Sequence, residues 1–220
     1  MTGSFAAWRK EFSASFRDKK FVMLFLGAIG LLLFSLVINY FAGTYATEKA
    51  SNPVTDIVLD NIPVYDVDDV FVYGGYALVA CIILVCLEKP RRIPFAVKSI
   101  ALFYLIRSVF VSLTHIAPFP THTHIDPGGL IRFFDFDGEL FFSGHTGLPF
   151  LMALLYWDSK WIRTSFICLS IILATVVLMG HLHYSIDVFS AFFITYAIYG
   201  LSEQIFRKDK RMGRAETLLP

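Results

Sequence analysis

FVMLFLGAIGLLLFSLVINYFA, residues 21–42, contains no charged side chain and reads as a helix long enough to cross a bilayer. A hydrocarbon core of ~30 Å takes about 20 apolar residues in an α-helix. The run is longer than the apolar region of a secretory signal and lies deeper in the chain, so a cleaved leader is not expected. Five further runs follow it. Residues 70–87 and 164–180 are uncharged, and 93–115 are apolar apart from Lys98 and Arg107. Residues 140–157 contain His145 near their start, while 184–206 contain Asp187 near the start and Glu203 near the end. The expected fold class is all-α, a polytopic membrane protein built as a six-transmembrane-helix bundle. It divides into an amino-terminal arm (1–20), a six-helix membrane domain (21–206) and a basic tail (207–220), with no repeat or low-complexity tract.

Composition agrees with this division. Of 220 residues 56% are hydrophobic and 17% charged, with 23 Phe and 10 Tyr, which is more apolar surface than one soluble core of that length can bury. Lipid must cover the remainder. The net charge of +1 hides a segregation along the chain. The two termini and the loops 88–92 and 158–163 hold fifteen Lys and Arg; the loops 43–69 and 115–139 hold only Lys49 and Arg132. By the positive-inside rule both termini are expected in the cytoplasm. The basic residues form no aromatic-lined stripe, so a nucleic-acid partner is not expected. Cys81, Cys86 and Cys168 lie inside apolar runs, without metal-ligand or disulfide spacing, and read as packing residues.

Ionisable groups inside membrane spans are costly and point to function. Arg107 lies toward the end of the third run, His145 at the start of the fourth, and His183 and Asp187 at the start of the sixth. With six spans, all four reach the same non-cytoplasmic surface. His183 and Asp187 are four apart and share a helix face, where the carboxylate can accept the proton of one imidazole nitrogen and leave the other basic. An imidazole held in one tautomer suits a nucleophile or a general base. His145 follows Ser143 and Gly144 at a helix start, where free N–H groups and the helix dipole favour a phosphate. Two histidines with separate roles fit a two-step phosphoryl transfer, one attacking phosphorus and the other protonating the departing oxygen. Arg107 is the expected phosphate partner, and Arg132, in a loop, a weaker candidate.

Plainer readings stand beside these. Histidines in membrane helices also serve as interhelical hydrogen-bond partners, and an arginine can snorkel to the interface. His115, His122, His124 and Asp126 have a Pro-interrupted spacing that fixes no helix face for a metal. His181 reads as a polar turn residue, and Phe133, Phe134, Phe136, Phe141 and Phe142 as an interfacial belt.

DGELFFSGHT (137–146) and HYSIDVFSAFFIT (183–195) together resemble the paired signature of the sphingomyelin synthases and their relatives, a branch of the type 2 phosphatidic acid phosphatase (PAP2) superfamily. FYLIRSVFVSLTHIAP (103–118) is similar to the arginine-bearing third-helix motif of that branch, and IPVYDVDDV (62–70) more distantly to its Pro-rich first motif. The resemblance implies a PAP2-like bundle with His183 as a nucleophile that forms a phospho-histidine, Asp187 as its orienting partner and His145 as the acid or base. It implies no metal or other cofactor. The lipid partners implied are a phospholipid donor of a phosphocholine or phosphoethanolamine group and a ceramide or diacylglycerol-like acceptor.

The chain also departs from its relatives. Val176 and Val177 stand where the wider superfamily carries a Ser-Arg pair, which the synthase branch also lacks, so the phosphate-binding arginine falls to Arg107. Asp137 and Glu139 differ from the residues usual in the synthases, so headgroup choice does not carry across. A lipid phosphate phosphatase, in which water resolves the intermediate, is the alternative the same histidines serve. A transporter is a third, less suited to ionisable groups gathered at one surface without an internal repeat.

Overall fold

The computed structural model describes residues 12–121 and 140–215, with residue 9 besides. Its principal helices are α1 (Lys19–Lys49), α2 (Asp68–Glu88), α3 (Ile93–Leu113), α4 (Gly144–Leu155), α5 (Lys160–Met179), α6 (Ser185–Ile205) and α7 (Arg207–Ala215). Short 3-10 turns lie at Leu59–Asn61 and Pro90–Arg92, and no strand occurs among the described residues. Asp56 lies in the long α1–α2 connection, while Arg132, His122, His124, Asp126, Asp137, Glu139, Phe133, Phe134 and Phe136 lie outside the described residues.

Local chemistry sets the helix ends. Asp18 caps α1 by accepting the Lys20 N–H at 2.9 Å, and Asp68 and Asp69 place carboxylates in the first turn of α2. Pro94 occupies the first turn of α3, where its missing N–H costs nothing. α5 ends in a paired closure: the His181 N–H donates to Leu178 O at 3.1 Å and the Leu182 N–H to Val177 O at 2.9 Å. His181 takes the left-handed position there, with φ 53°, which usually falls to glycine. Its buried ring is held by Thr121 Oγ1 at 2.6 Å from Nδ1 and by the edge of Phe119.

Among the described residues five helices, α1, α2, α3 with its preceding turn, α5 and α6, are long and apolar enough to cross a membrane, which fits a multi-pass membrane protein. Leu26, Leu33 and Phe41 on α1 and Tyr73, Ile83 and Leu84 on α2 point outward, the arrangement of helices whose outer face meets lipid. The fourth expected span is different: instead of covering residues 140–157 it is a helix of 12 residues, about 18 Å long at 1.5 Å per residue. Such a helix falls short of a ~30 Å hydrocarbon core. The six-span reading therefore holds for five long helices, with α4 as a shorter sixth.

The reason lies in the packing. α4 sits at the centre, against α5, α6 and α3, and Thr146 to Pro149 and Leu151 to Leu154 are all buried. A helix sheathed in protein need not match the thickness of lipid. It nonetheless joins the two ends of the bundle: Phe142, just before it, meets Arg107 near the end of α3, and Asp158, just after it, pairs with Arg92 at the start of α3. Around it, Phe103, Phe142, Leu151, Met152, Tyr156, Leu173 and Ile198 form the main core. α1 runs along α3, α2 lies against α5, and α7 folds back on the Pro90–Arg92 turn and α3.

Candidate active site

Four chain segments bring their ends together at one end of the bundle: α2 with Phe71, α3 with Arg107, and the amino-termini of α4 and α6. The two amino-termini are stitched by the Ser143 N–H, which donates to Asp187 O at 3.2 Å. That bond spans 44 positions in sequence and sets His145 and His183 at one site. His145 is within electrostatic range of both His183 and Arg107, and Asp187 of His183 and Arg107. The convergence expected from the sequence is thus present for His145, His183, Asp187, Arg107, Ser143 and Gly144.

His183 is buried, and its Nδ1 lies 2.8 Å from the Leu140 carbonyl and 3.5 Å from Asp187 Oδ2. A carbonyl oxygen only accepts, so Nδ1 carries a proton, and in the neutral ring the lone pair is on Nε2. Nε2 has no hydrogen-bond partner among the described residues. The expected His–Asp pairing is present, but the shorter contact is to a backbone carbonyl that no side-chain pattern reveals. Asp187 is fully buried; its Oδ2 also accepts the Tyr184 N–H at 3.0 Å, while its Oδ1 has no partner among the described residues.

His145 is half-buried, with its ring packed at 4.1 Å between centroids on Phe71 of α2. Neither of its nitrogens is engaged among the described residues. Arg107 is buried, and its Nε donates to Phe142 O at 3.0 Å. Its guanidinium lies beside Gly144, 3.6 Å from where a β-carbon there would stand. This arginine points into the protein rather than snorkelling to the surface.

The two helix starts are treated differently. At α6 the N–H of Ser185 is taken by Asp56 Oδ2 at 2.7 Å and that of Tyr184 by Asp187, so its positive end already faces two carboxylates. At α4 Ser143 makes no side-chain cap, Gly144 of the first turn lies beside the Arg107 guanidinium, and no carboxylate accepts from the first-turn amides among the described residues. Uncapped amides next to a guanidinium make an anion seat; amides already on carboxylates do not. Of the two ends, only that of α4 suits a phosphate.

Asp56 was not singled out by sequence, since its loop carries several other acids and none has a helical spacing to the histidines. It is buried, and its Oδ1 accepts the N–H groups of Val58 and Leu59 at 2.8 and 3.1 Å. Burial alone would raise its pKa, but the hydrogen bonds from Ser185, Leu59 and Val58 outweigh it and hold the carboxyl below its usual range. Tyr184, next to His183, ties the same loop down: its hydroxyl donates to Ala117 O at 2.9 Å and accepts the Val54 N–H at 3.2 Å. Asp56→Asn keeps one acceptor and loses the charge, and is expected to cost ~1–3 kcal/mol of stability and about tenfold in turnover. A group with a lowered folded pKa stabilises above its unfolded pKa and loses that contribution as pH falls through the folded value. The gap in apparent Tm between native chain and variant should therefore be full at pH 7 and close below the ordinary carboxylate range. An unchanged gap at acid pH would show that the charge is not what matters.

Of the other histidines, His115 and His181 are among the described residues, and both stand apart from this chemistry. His115 packs its ring on Tyr45 and offers its carbonyl to Ser51, and His181 serves the α5–α6 turn. Val176 and Val177 are buried with Val67, Phe71 and Val188 in an apolar cluster, so no guanidinium enters the site from that position.

Residues 138–204 match the family model described as PAP2 superfamily C-terminal, which supports membership of the PAP2 superfamily. The matched stretch contains His145, His183 and Asp187, and Arg107 lies before it. No curated protein and no solved structure matches the chain.

Proposed function

We propose that this chain is a membrane lipid phosphotransferase. It moves a phospho-alcohol headgroup, of phosphocholine or phosphoethanolamine type, from a glycerophospholipid to the hydroxyl of a ceramide or diacylglycerol-like lipid. The observation that carries the reading is the setting of His183: its Nδ1 lies against the Leu140 carbonyl, with Asp187 behind it, which leaves Nε2 as the lone-pair nitrogen of the neutral ring. Phosphatase and phosphotransferase activities on lipids are both in keeping with the superfamily match.

In the first step Nε2 of His183 attacks phosphorus, the bond from phosphorus to the diacylglycerol oxygen breaks, and His145 gives that oxygen a proton. The imidazolium character that His183 gains is stabilised by buried Asp187 at 3.5 Å. The non-bridging phosphate oxygens lie at the start of α4, on the Gly144, His145 and Thr146 amides and the Arg107 guanidinium, where charge develops. In the second step the acceptor hydroxyl attacks phosphorus, His145 takes its proton, and the phosphorus–nitrogen bond breaks to restore His183. No electrons are exchanged and the protons balance between the steps.

Hydrolysis differs only in the acceptor, with water in place of the lipid hydroxyl. Both termini in the cytoplasm and the histidines on the exoplasmic, periplasmic or lumenal side complete the proposal, following the charge segregation of the loops. The test gives the purified chain a fluorescent ceramide and a panel of phospholipid donors. Headgroup-bearing ceramide is the expected product. Free phosphate or free phospho-alcohol as the sole product would reject transfer in favour of hydrolysis, and lipid movement without any chemical product would reject both.

A further inference from the structure

A cavity lies at the end of the bundle opposite the histidines, and no step of the proposed chemistry uses it. Its volume is about 730 Å³, within the range of ~300–1,000 Å³ of small-molecule sites. It opens between the start of α3, the end of α4, α6 and α7. Phe95, Leu154 and Leu155 give it apolar walls, and Trp157 and Tyr196, both more than half exposed, stand at its mouth. Arg92 and Lys210 border it, and Lys210 also lines a smaller adjoining cleft with Arg207 and Arg211. Along α3, Arg92 and Arg107 are fifteen positions apart, which separates this end from the histidine site by about 22 Å.

The charge of the two clefts is not balanced. Asp158 holds Arg92 by two bonds of 2.7 Å, and Glu203 pairs with Lys210. Arg207 and Arg211 are exposed and have no ion-pair partner among the described residues. They project from α7, which is seated by the Lys98–Asp209 pair at 2.7 Å and by Gly213, where a β-carbon would stand 2.9 Å from Arg92 Cγ. An apolar slot with aromatic residues at its mouth, continued through Lys210 into a cleft whose Arg207 and Arg211 have no ion-pair partner among the described residues, matches an acyl chain in the first and an anionic headgroup in the second.

We infer that the cleft between α3, α4, α6 and α7 binds one anionic phospholipid, distinct from the substrates, with its phosphate on Arg207 and Arg211 and an acyl chain along Phe95, Leu154 and Leu155. A soluble phosphate would satisfy the guanidiniums but leave the apolar walls unused, which favours a lipid.

The experiment uses the full chain in nanodiscs with Trp8→Phe and Trp161→Phe, so that Trp157 alone reports. Brominated phosphatidylglycerol is expected to quench Trp157 with about fivefold preference over brominated phosphatidylcholine, a preference that weakens in high salt. Arg207→Gln with Arg211→Gln should bring the two lipids to parity while leaving lipid turnover intact, because neither residue belongs to the histidine site. Parity in the parent chain, or an undiminished preference in the double variant, would overturn the inference. Displacement of the lipid by millimolar inorganic phosphate would overturn it as well, by assigning the cleft to a soluble anion. Quenching reports binding without catalysis, so a chain without transferase activity that still shows the preference would reject the proposed function and keep this site.

Discussion

His183→Ala is expected to lower lipid turnover by at least about 10³-fold, with the fold intact. The imidazole is the group whose lone-pair nitrogen remains unengaged while its other nitrogen is fixed 2.8 Å from a backbone carbonyl. Deleting it removes the atom that would bond to phosphorus, and no described neighbour replaces it as nucleophile: Asp187 is a fully buried carboxylate whose Oδ2 accepts the Tyr184 N–H, and the His145 ring, at the start of α4, packs on Phe71. Size of effect alone does not separate a nucleophile from a base, since general acid–base groups are worth ~10²–10⁴. The discriminating readout is covalent. A donor labelled in its phosphate should leave an acid-labile adduct at residue 183 that is absent from the alanine variant. His145→Ala should retain the capacity to form that adduct, more slowly. If the alanine variant at 183 keeps most of its turnover, or if label never becomes bound to the native chain, the nucleophile has been misassigned.

Gly147→Val is expected to have the largest effect on stability. A β-carbon at 147 would lie 2.8 Å from Phe103 Cε2 and 2.8 Å from Thr195 Oγ1, where α4 crosses α3 and α6 at closest approach. Both neighbours are fully buried, so neither side chain can swing into open space. Overpacking of this kind costs ~1–3 kcal/mol for small excesses, and valine adds two further carbons. Alanine would recover up to ~1 kcal/mol because glycine is a poor helix former, but valine recovers less of it. The displacement also reaches the site, since residue 147 is half a turn from His145. A fall in apparent Tm of about 5 °C or more, with loss of activity, is the expected result in a detergent thermostability assay. Gly27 and Gly200, on helices with nothing within 4 Å of an added β-carbon, provide the control: alanine there should leave Tm unchanged or raise it. Equal tolerance at 147 and 200 would contradict the close helix crossing.

The spacing and placement of the polar residues explain how much of the site was legible. The spacing of four brought His183 and Asp187 together, although His183 lies in the turn before α6 rather than on its face and reaches Asp187 from there at 3.5 Å; the positions of Arg107 and His145 within their apolar runs place them at the same end of a bundle. Their neighbours were hidden for a specific reason. Leu140 and Phe142 act through backbone carbonyls, which every residue has, so no side-chain pattern distinguishes them. Asp56 reaches Ser185 across 129 positions, and Phe71 reaches His145 from another helix, contacts that depend on how the loops and helices pack.

By itself, the sequence determined that the chain is helical and built for a membrane, because uncharged runs of bilayer length have few other stable states. It also determined which ionisable residues belong together, since each is costly in its span and all lie at corresponding ends. Only the tertiary structure decided that α4 is a short central helix, because hydropathy counts apolar residues without telling lipid-facing from protein-facing ones. It alone also showed that the Leu140 carbonyl faces His183 Nδ1 and that the start of α6, unlike that of α4, is met by two carboxylates among the described residues, because both depend on hydrogen-bond partners brought in from distant parts of the chain.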